Sequence, residues 1–330
     1  MADDLEVALE HRPDEHRVAV TAGGAPFTTY RYEPDTPVLS KPVLFPIHAA
    51  SGAAVTRGYP LEPRPGERVD HDHHVGHSFT YGVDPGVNGV NFWGVSDPVG
   101  DDETDRGVIR HRTVERAAGG DHGELVVAAD WERGTGETVL TEGTTFRFRA
   151  AEGRRTIDRT TTLTAANGPV TMPDDKEGMF AVRVAPGLEH PEEDPIEVVA
   201  EGGGTEEVPG DHGRFGEYRS SEGITGREVW GTRAEWMRLS GRVDGEPVSL
   251  TVMDHPENPN APTYWHARGY GLFAANPLGE AVFTDGDSRL DFALEAGESV
   301  TFRYRIAVDE GTPAPADLDA RREAFVADAP

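Results

Sequence analysis

Apolar and polar residues alternate along much of this chain of 330 residues. Near its end, Phe302, Tyr304 and Ile306 share one parity, while Arg303 and Arg305 take the other. Successive side chains of a strand point to opposite faces, so a period of two predicts strands with one buried face. The same pattern predicts further strands at residues 16–21, 27–32, 108–114, 125–131, 146–149, 157–163, 179–185, 248–253 and 289–294.

Turn signals between these segments indicate the fold class. Examples are Asn167-Gly168-Pro169 and Asp244-Gly245. The 39 glycines and 25 prolines are scattered, which leaves little room for long helices, and only residues 315–326 have a helical pattern. The acidic residues 99–105 indicate an excursion from the core. We therefore predict an all-β protein, a large antiparallel β-sandwich in a single domain over residues 1–330, with a partly helical tail at 309–330.

Charge and composition restrict the possible functions. The chain has 59 acidic and 31 basic residues, a formal net charge of −28, and no cysteine. Disulfides, cysteine zinc sites and thiol nucleophiles are excluded. Nucleic acids and anionic membranes bind clustered Lys and Arg, so we expect neither as a partner. No stretch approaches the roughly 20 apolar residues that span a bilayer, and the acidic N-terminus lacks a signal-peptide core, which predicts a cytoplasmic protein.

Lysine is almost absent from the basic residues. Only Lys41 and Lys176 are lysines, and all other basic residues are arginines. With the acid excess, this composition predicts adaptation to concentrated salt, since at roughly molar salt the Debye length falls to about 3 Å and carboxylate repulsion is screened. Lys176 stands beside Glu177, where its compact ammonium can serve chemistry or form an exposed ion pair.

Histidines are the most informative candidates for chemistry. Of 13 histidines, four lie at His71, His73, His74 and His77. Imidazole transfers protons near neutral pH or binds metals. If this run is extended, His71, His73 and His77 share one face and would be the ligands of any metal. Their spacing matches no known metal motif, so we predict no metal and no other cofactor. From the residues alone, acid–base chemistry, metal binding and structural use all stay open.

Aromatic and acidic residues form a second group of candidates. Trp93, Tyr264, Trp265 and Tyr270 can form a platform for the C–H faces of a sugar, or they can fill the core. Asp254 is either a site carboxylate at a strand end or a turn residue.

The order and spacing of several motifs resemble a known family. These motifs are residues 41–46, 55–60, 70–76, 88–93, 176–178 and 254–277. They resemble the PmoA-like family, a domain of unknown function often labelled "methane oxygenase PmoA", over about residues 15–308. The oxygenase label is not transferred, because membrane methane monooxygenase subunits need spanning helices. The resemblance implies a β-supersandwich related to galactose mutarotase and a role directed at carbohydrates.

We therefore expect a carbohydrate-active enzyme that uses acid–base chemistry on a sugar or glycoside, as an epimerase or mutarotase, a lyase or a hydrolase. The proton-transfer candidates are His73, His74 and His266, with Asp254 or Glu177 as base or orienting carboxylate. The candidate substrate contacts are Arg57, Trp93, Lys176, Arg183, His255, Trp265, Arg268 and Asn276.

Two alternatives stay open. A non-catalytic sugar-binding or sensing protein would bind a sugar without forming a product. A metal-dependent enzyme would use the histidines of residues 71–77. The expected partner is a small-molecule carbohydrate substrate, and the sequence does not predict the oligomeric state.

Overall fold

A computed structural model gives the fold and describes residues 4–33, 36, 38–94 and 105–328. Within these residues, two eight-stranded sheets pack face to face, and three two-stranded pairs lie outside them. Most of the acidic segment 99–105 lies outside the described residues. In the described part of the chain, no helix is long and apolar enough to cross a bilayer.

The described strands, in chain order, are β1 (Val7–Arg12), β2 (Arg17–Ala22), β3 (Ala25–Arg31), β4 (Val43–Ile47), β5 (His77–Tyr81), β6 (Val90–Asn91), β7 (Asp105–Arg106), β8 (Val108–Ala118), β9 (Gly123–Glu132), β10 (Thr138–Ala151), β11 (Arg154–Ala165), β12 (Val170–Met172), β13 (Gly178–Arg183), β14 (Ile196–Val199), β15 (Thr205–Val208), β16 (Glu217–Ser220), β17 (Trp236–Val243), β18 (Glu246–Asp254), β19 (Tyr264–Ala267), β20 (Leu272–Asn276), β21 (Phe292–Leu294) and β22 (Ser299–Glu310). The helices are α1 (Glu280–Phe283) and α2 (Pro315–Asp328), and single 3-10 turns lie at Pro13–Glu15, Pro186–Leu188 and Gly226–Val229.

The strand order defines two sheets. The first sheet runs β1-β2-β3-β4-β5-β13-β20-β19 and the second runs β16-β17-β18-β22-β11-β10-β9-β8. Every pairing within the two sheets is antiparallel. Along β11, half-buried and buried residues alternate without a break, as its period-two sequence predicts. The prediction of a large antiparallel β-sandwich is confirmed.

Aromatic side chains from both sheets fill the space between them. Phe180 of the first sheet lies 4.6 Å from Tyr304 of the second, measured between ring centres, and Phe79 lies 5.5 Å from Phe302.

The prediction of a strand at residues 289–294 was too long, because the strand β21 covers Phe292–Leu294 alone.

A buried ion pair within the second sheet contacts the first sheet through His77. Arg159 of β11 donates to Glu142 of β10 at 2.8 Å, and Trp131 donates to the same carboxylate at 2.9 Å. Arg159 also lies 3.3 Å from Nε2 of His77 on β5, whose Nδ1 lies 3.0 Å from the carbonyl of Ala181 on β13. These bonds assign the proton of His77 to Nδ1. His77 therefore faces the core.

The outer face of the first sheet carries small side chains at its centre. Ser78, Ala181, Ala274 and His266 lie in one row across β5, β13, β20 and β19. Phe180 and the residues paired with it on the neighbouring strands lie on the opposite face of the sheet and point into the core. A floor of two alanines and a serine leaves room for loops that cross above the sheet.

We expect Glu142→Gln to lower the free energy of unfolding by about 3–5 kcal/mol, because it leaves the guanidinium of Arg159 buried without a counter-charge. Denaturant unfolding measures this change. The matched control is Glu132→Gln, whose partner Arg110 is exposed, and its expected effect is below about 1 kcal/mol. Equal effects of the two substitutions would contradict a structural role for the buried pair.

Candidate functional site

A cleft of about 310 Å³ lies above the small-residue floor of the first sheet. Loops that follow β5 and precede β5, β13 and β20 form its walls. The lining residues are His71, His73, His74, Val83, Asp84, Asn91, Trp93, Gly94, Asp175, Lys176, Glu177 and Tyr270. Trp93 packs on Ala181 and Ala274 of the floor.

The histidine segment forms a turn before β5 and is not extended. His71 has a left-handed backbone (φ 41°), and the amide of His74 donates to the carbonyl of His71 at 2.9 Å. This turn brings His71, His73 and His74 together on the cleft. The expectation that His71, His73 and His77 share a face was wrong, because it assumed an extended run. Gly76 ends the turn at φ 53°, where a Cβ would lie 2.3 Å from the carbonyl oxygen of Leu44.

A shared carboxylate holds this turn in place. Oδ1 of Asp70 accepts hydrogen bonds from Arg57 and from Arg183, each at 2.6 Å. Arg57 also donates to the carbonyl oxygens of His71 at 2.8 Å and His74 at 3.2 Å. Burial alone raises the pKa of Asp70, but the hydrogen bond from His71 and the charges of Arg183 and Arg57 outweigh it and hold that pKa well below its ordinary range. Arg57 and Arg183 thus support the turn from below.

Parallel rings form one wall of the cleft. The His71 ring stacks on Tyr270, with ring centres 4.9 Å apart, and on His74 at 5.0 Å. Trp93 meets His74 edge-on at 5.5 Å. The guanidinium of Arg183 lies 5.0 Å from the centre of the Tyr270 ring. Aromatic faces and imidazole edges therefore surround one space.

Buried hydrogen bonds fix the opposite wall. The carboxylate of Asp175 accepts from the amides of Val83 at 2.6 Å and Glu177 at 2.9 Å. Asn276 donates to the carbonyls of Asp175 at 2.8 Å and Lys176 at 2.9 Å. Lys176 and Glu177, which pair at 2.5 Å, are thereby held at the rim of the cleft. Asn276 positions this loop from beneath and does not line the cleft.

Two imidazoles of the cleft, those of His73 and His74, are uncharged at neutral pH. Burial, followed by the charge of Lys41, lowers the pKa of His73 to about 3. Burial, followed by the proximity of His73 and Arg183, holds the pKa of His74 well below its ordinary range. A neutral imidazole has one N–H donor and one acceptor nitrogen, so it can bind a hydroxyl in either direction.

His266 and Arg268 lie beside the cleft without lining it. His266 is 2% exposed, on β19, and a backbone contact with Lys176 places it behind the rim. Burial, followed by the charge of Arg268, lowers the pKa of His266 to about 3. The exposed Arg268 lies over the rings of Tyr270 and Trp230, 5.7 and 5.9 Å from their centres.

Four predicted site residues lie elsewhere, because strand parity and sheet pairing turn them away. Asp254 ends β18 of the second sheet and accepts from Asn258 at 2.7 Å and from the amide of Thr263 at 2.8 Å; burial raises its pKa to about 7. His255 packs on Phe325 of α2 at 5.5 Å. Trp265 faces the core and donates to a backbone carbonyl at 3.1 Å, and His77 faces the core as described above.

The histidines do not assemble into a metal site. Within the described ranges, no group of three or more His, Asp or Glu side chains is arranged to hold a metal ion. His77, one of the three ligands expected for a metal, lies between the sheets on the far side of β5.

The sequence patterns indicated no role for Asp70, Asp175 or Lys41. Lys41 is 5% exposed, and its Nζ donates to the carbonyl of Trp93 at 2.7 Å. A signal for Lys41 existed, because the contrast with an arginine-rich chain that singled out Lys176 applies to both lysines. Asp70 and Asp175 gave no signal, because acidic residues are common throughout the chain.

The fold and the cleft define the class: an antiparallel β-sandwich protein with a histidine-lined cleft on the outer face of one sheet. The chain belongs to the family described as "Family of unknown function (DUF6807)", whose model matches residues 17–322. A search of curated proteins found no match.

Several solved structures are similar to the chain at low identity. A putative aldose 1-epimerase from Escherichia coli K12 has 12% identity and a TM-score of 0.34, covering 93% of this chain and 99% of that chain. A galactose mutarotase-like protein from Clostridium acetobutylicum has 10% identity, a TM-score of 0.36 and the same coverage, 93% and 99%. The GH36 α-galactosidase AgaB from Geobacillus stearothermophilus has 13% identity and a TM-score of 0.41, covering 92% of this chain and 41% of that chain. The chain spans about two fifths of the length of the α-galactosidase chains that it matches.

We expect Asp70→Asn to lower the free energy of unfolding by about 3 kcal/mol at pH 7, because two buried guanidinium groups lose their shared counter-charge. A carboxylate whose pKa falls on folding stabilises the fold above its unfolded pKa of about 3.9 and loses this effect as pH falls. The gap between wild type and variant should therefore narrow at pH 3. Denaturant unfolding at both pH values measures it, with the exposed Asp121→Asn as control. A gap that is constant with pH would contradict the ionised, shared carboxylate.

Proposed function

We propose that this protein is a carbohydrate-active enzyme whose cleft transfers protons on a bound sugar. The observation that carries the proposal is the His74 ring. It is 6% exposed, lines the cleft, and has no hydrogen-bond partner for either ring nitrogen among the described residues. A buried polar group without a partner costs about 1–3 kcal/mol. A ligand hydroxyl that bonds to His74 removes that cost.

The other lining groups complement a sugar. Trp93 and Tyr270 present aromatic surface to C–H faces, while His74 and Glu177 offer hydrogen bonds to hydroxyls. The volume of about 310 Å³ falls at the lower end of small-molecule sites, which measure about 300–1,000 Å³.

In the proposed reaction, His74 is the proton-transfer residue and His73 supports it. Because neutral imidazole has a lone pair on one nitrogen and an N–H on the other, His74 can accept a proton at one as it releases a proton at the other. Glu177 orients a sugar hydroxyl, and its partner Lys176 stabilises negative charge that develops on a sugar oxygen. Epimerase, mutarotase, lyase and hydrolase reactions all need such a transfer.

A non-catalytic sugar-binding protein is the second candidate. The pKa of His73, lowered to about 3, favours it, because an imidazole with such a low pKa is a weak base at neutral pH. Such a protein would bind a sugar through the same residues and release it unchanged.

The proposal includes the conditions in which the protein is active. The excess of acidic residues and the scarcity of lysine support activity in concentrated salt. We also propose a cytoplasmic location, a single-domain organisation and membership of the PmoA-like family, for which the motif order described above is the support.

We expect the wild type in D₂O with about 2 M KCl to accelerate anomer interconversion or the exchange of a sugar C–H for deuterium, and His74→Ala to lower that rate by about 10²–10⁴-fold. Proton NMR on a panel of neutral aldoses, ketoses and methyl glycosides measures both reactions.

The matched control is His122→Ala, because His122 is exposed in the turn between β8 and β9, and its rate should equal that of the wild type. Saturable sugar binding without any reaction would select the binding protein. If no sugar of the panel binds, both candidates fail.

A further inference from the structure

One lysine of the chain lines the cleft and the other lies behind it, in opposite environments. Lys176 is at the exposed rim, whereas Lys41 is buried behind His73 and Trp93 and donates to the Trp93 carbonyl at 2.7 Å. Among the described residues, no carboxylate pairs with Lys41. A buried amine without a counter-charge is costly, and an apolar side chain of equal length would fill the same space without that cost. This contrast points to a chemical use for the amine.

A small cavity borders Lys41 and shares His73, His74 and Trp93 with the cleft. Its volume is about 10 Å³, and Lys41, His73, His74, Ser78 and Arg183 contribute to its lining. A cavity of about this size holds one water molecule when several polar groups surround it. His74 lines both this cavity and the cleft, and neither of its nitrogens has a partner in the described part of the chain. The His74 ring therefore borders both spaces, and its two nitrogens can bond to groups in them.

We propose that Lys41 is a positioning residue that stores the proton of the reaction, exchanging it with His74 through one water in the small cavity. This inference rests on the proposed function. A C–H or O–H bond of the sugar breaks, its electron pair stays on the sugar, and the proton binds one nitrogen of His74. The other nitrogen gives its proton to the water, which gives one to the Lys41 amine and forms an ammonium. The reverse sequence restores the starting state, so no oxidant or reductant is needed.

The surroundings of Lys41 fit a group that changes charge. Burial lowers the pKa of Lys41 to about 7, so the amine and the ammonium are both populated near neutral pH. Lys41 also contributes to the lining of a wider cavity of about 200 Å³. The titratable and charged groups that line the two spaces are His73, His74 and Arg183 on one side and His16, Tyr32, Glu33, Arg110 and His111 on the other.

Carbon NMR of the full chain with ¹³C-labelled lysine tests the stored proton without a substrate. Two lysines give two Cε signals, and the signal that remains in Lys176→Gln belongs to Lys41. We expect that signal to titrate with a midpoint near pH 7. A midpoint above about pH 9.5, close to the ordinary lysine value of about 10.4, would overturn the inference and leave the proposed function standing.

Kinetics test the relay. Lys41→Met keeps the stem and removes the amine, so we expect the proton-transfer rate to fall at least about tenfold, its pH dependence near neutrality to disappear, and sugar affinity to stay within about twofold. Lys41→Arg keeps the charge but cannot release a proton, so it should not restore the rate. Restoration by arginine, or an unchanged pH profile in Lys41→Met, would show a merely structural role. If Lys41→Met does not fold, the titration of the Lys41 signal still tests the proposal.

Discussion

The cleft depends on one carboxylate shared by two buried arginines. Because the guanidinium groups of Arg57 and Arg183 have left water, each needs a nearby negative charge, and Asp70 supplies it to both at 2.6 Å. Nη2 of Arg57 then donates to the carbonyls of His71 and His74 in the histidine turn. Since the turn is held by its backbone, the His74 imidazole is not used for support and faces the cleft.

The sheet below supplies the space that this arrangement needs. The outer face of the central strands carries Ser78, Ala181 and Ala274, so loops can cross above them without filling the volume. Trp93 covers part of this floor, and its loop is tied down by the buried Lys41. The large side chains on the core face of these strands thus hold the two sheets together, and the small side chains on the outer face leave space for the cleft.

Local burial outweighs the overall charge in setting the chemistry of the cleft. A net charge of −28 would favour protonated histidines and lysines if it acted over long distances. Exposed charges beyond a Debye length are screened, whereas desolvation acts at the group itself. The pKa values of His73 and Lys41 are therefore lowered, to about 3 and about 7, in spite of the acid excess.

The sequence by itself determined most of the long strands, the sandwich class and the segments that carry the cleft, because a period of two and a cluster of rare residues are local signals. The short strands β4, β5, β19 and β20 of the first sheet were not predicted. It could not decide the face of a residue whose neighbours come from distant strands. His77 lies in the core. Asp254 ends a strand of the second sheet, and His255 packs against α2. Lys41 lies beside His73 although the two residues belong to different segments of the chain. Only the tertiary structure decided these positions, because burial and charge partners depend on sheet pairing between segments far apart in the chain.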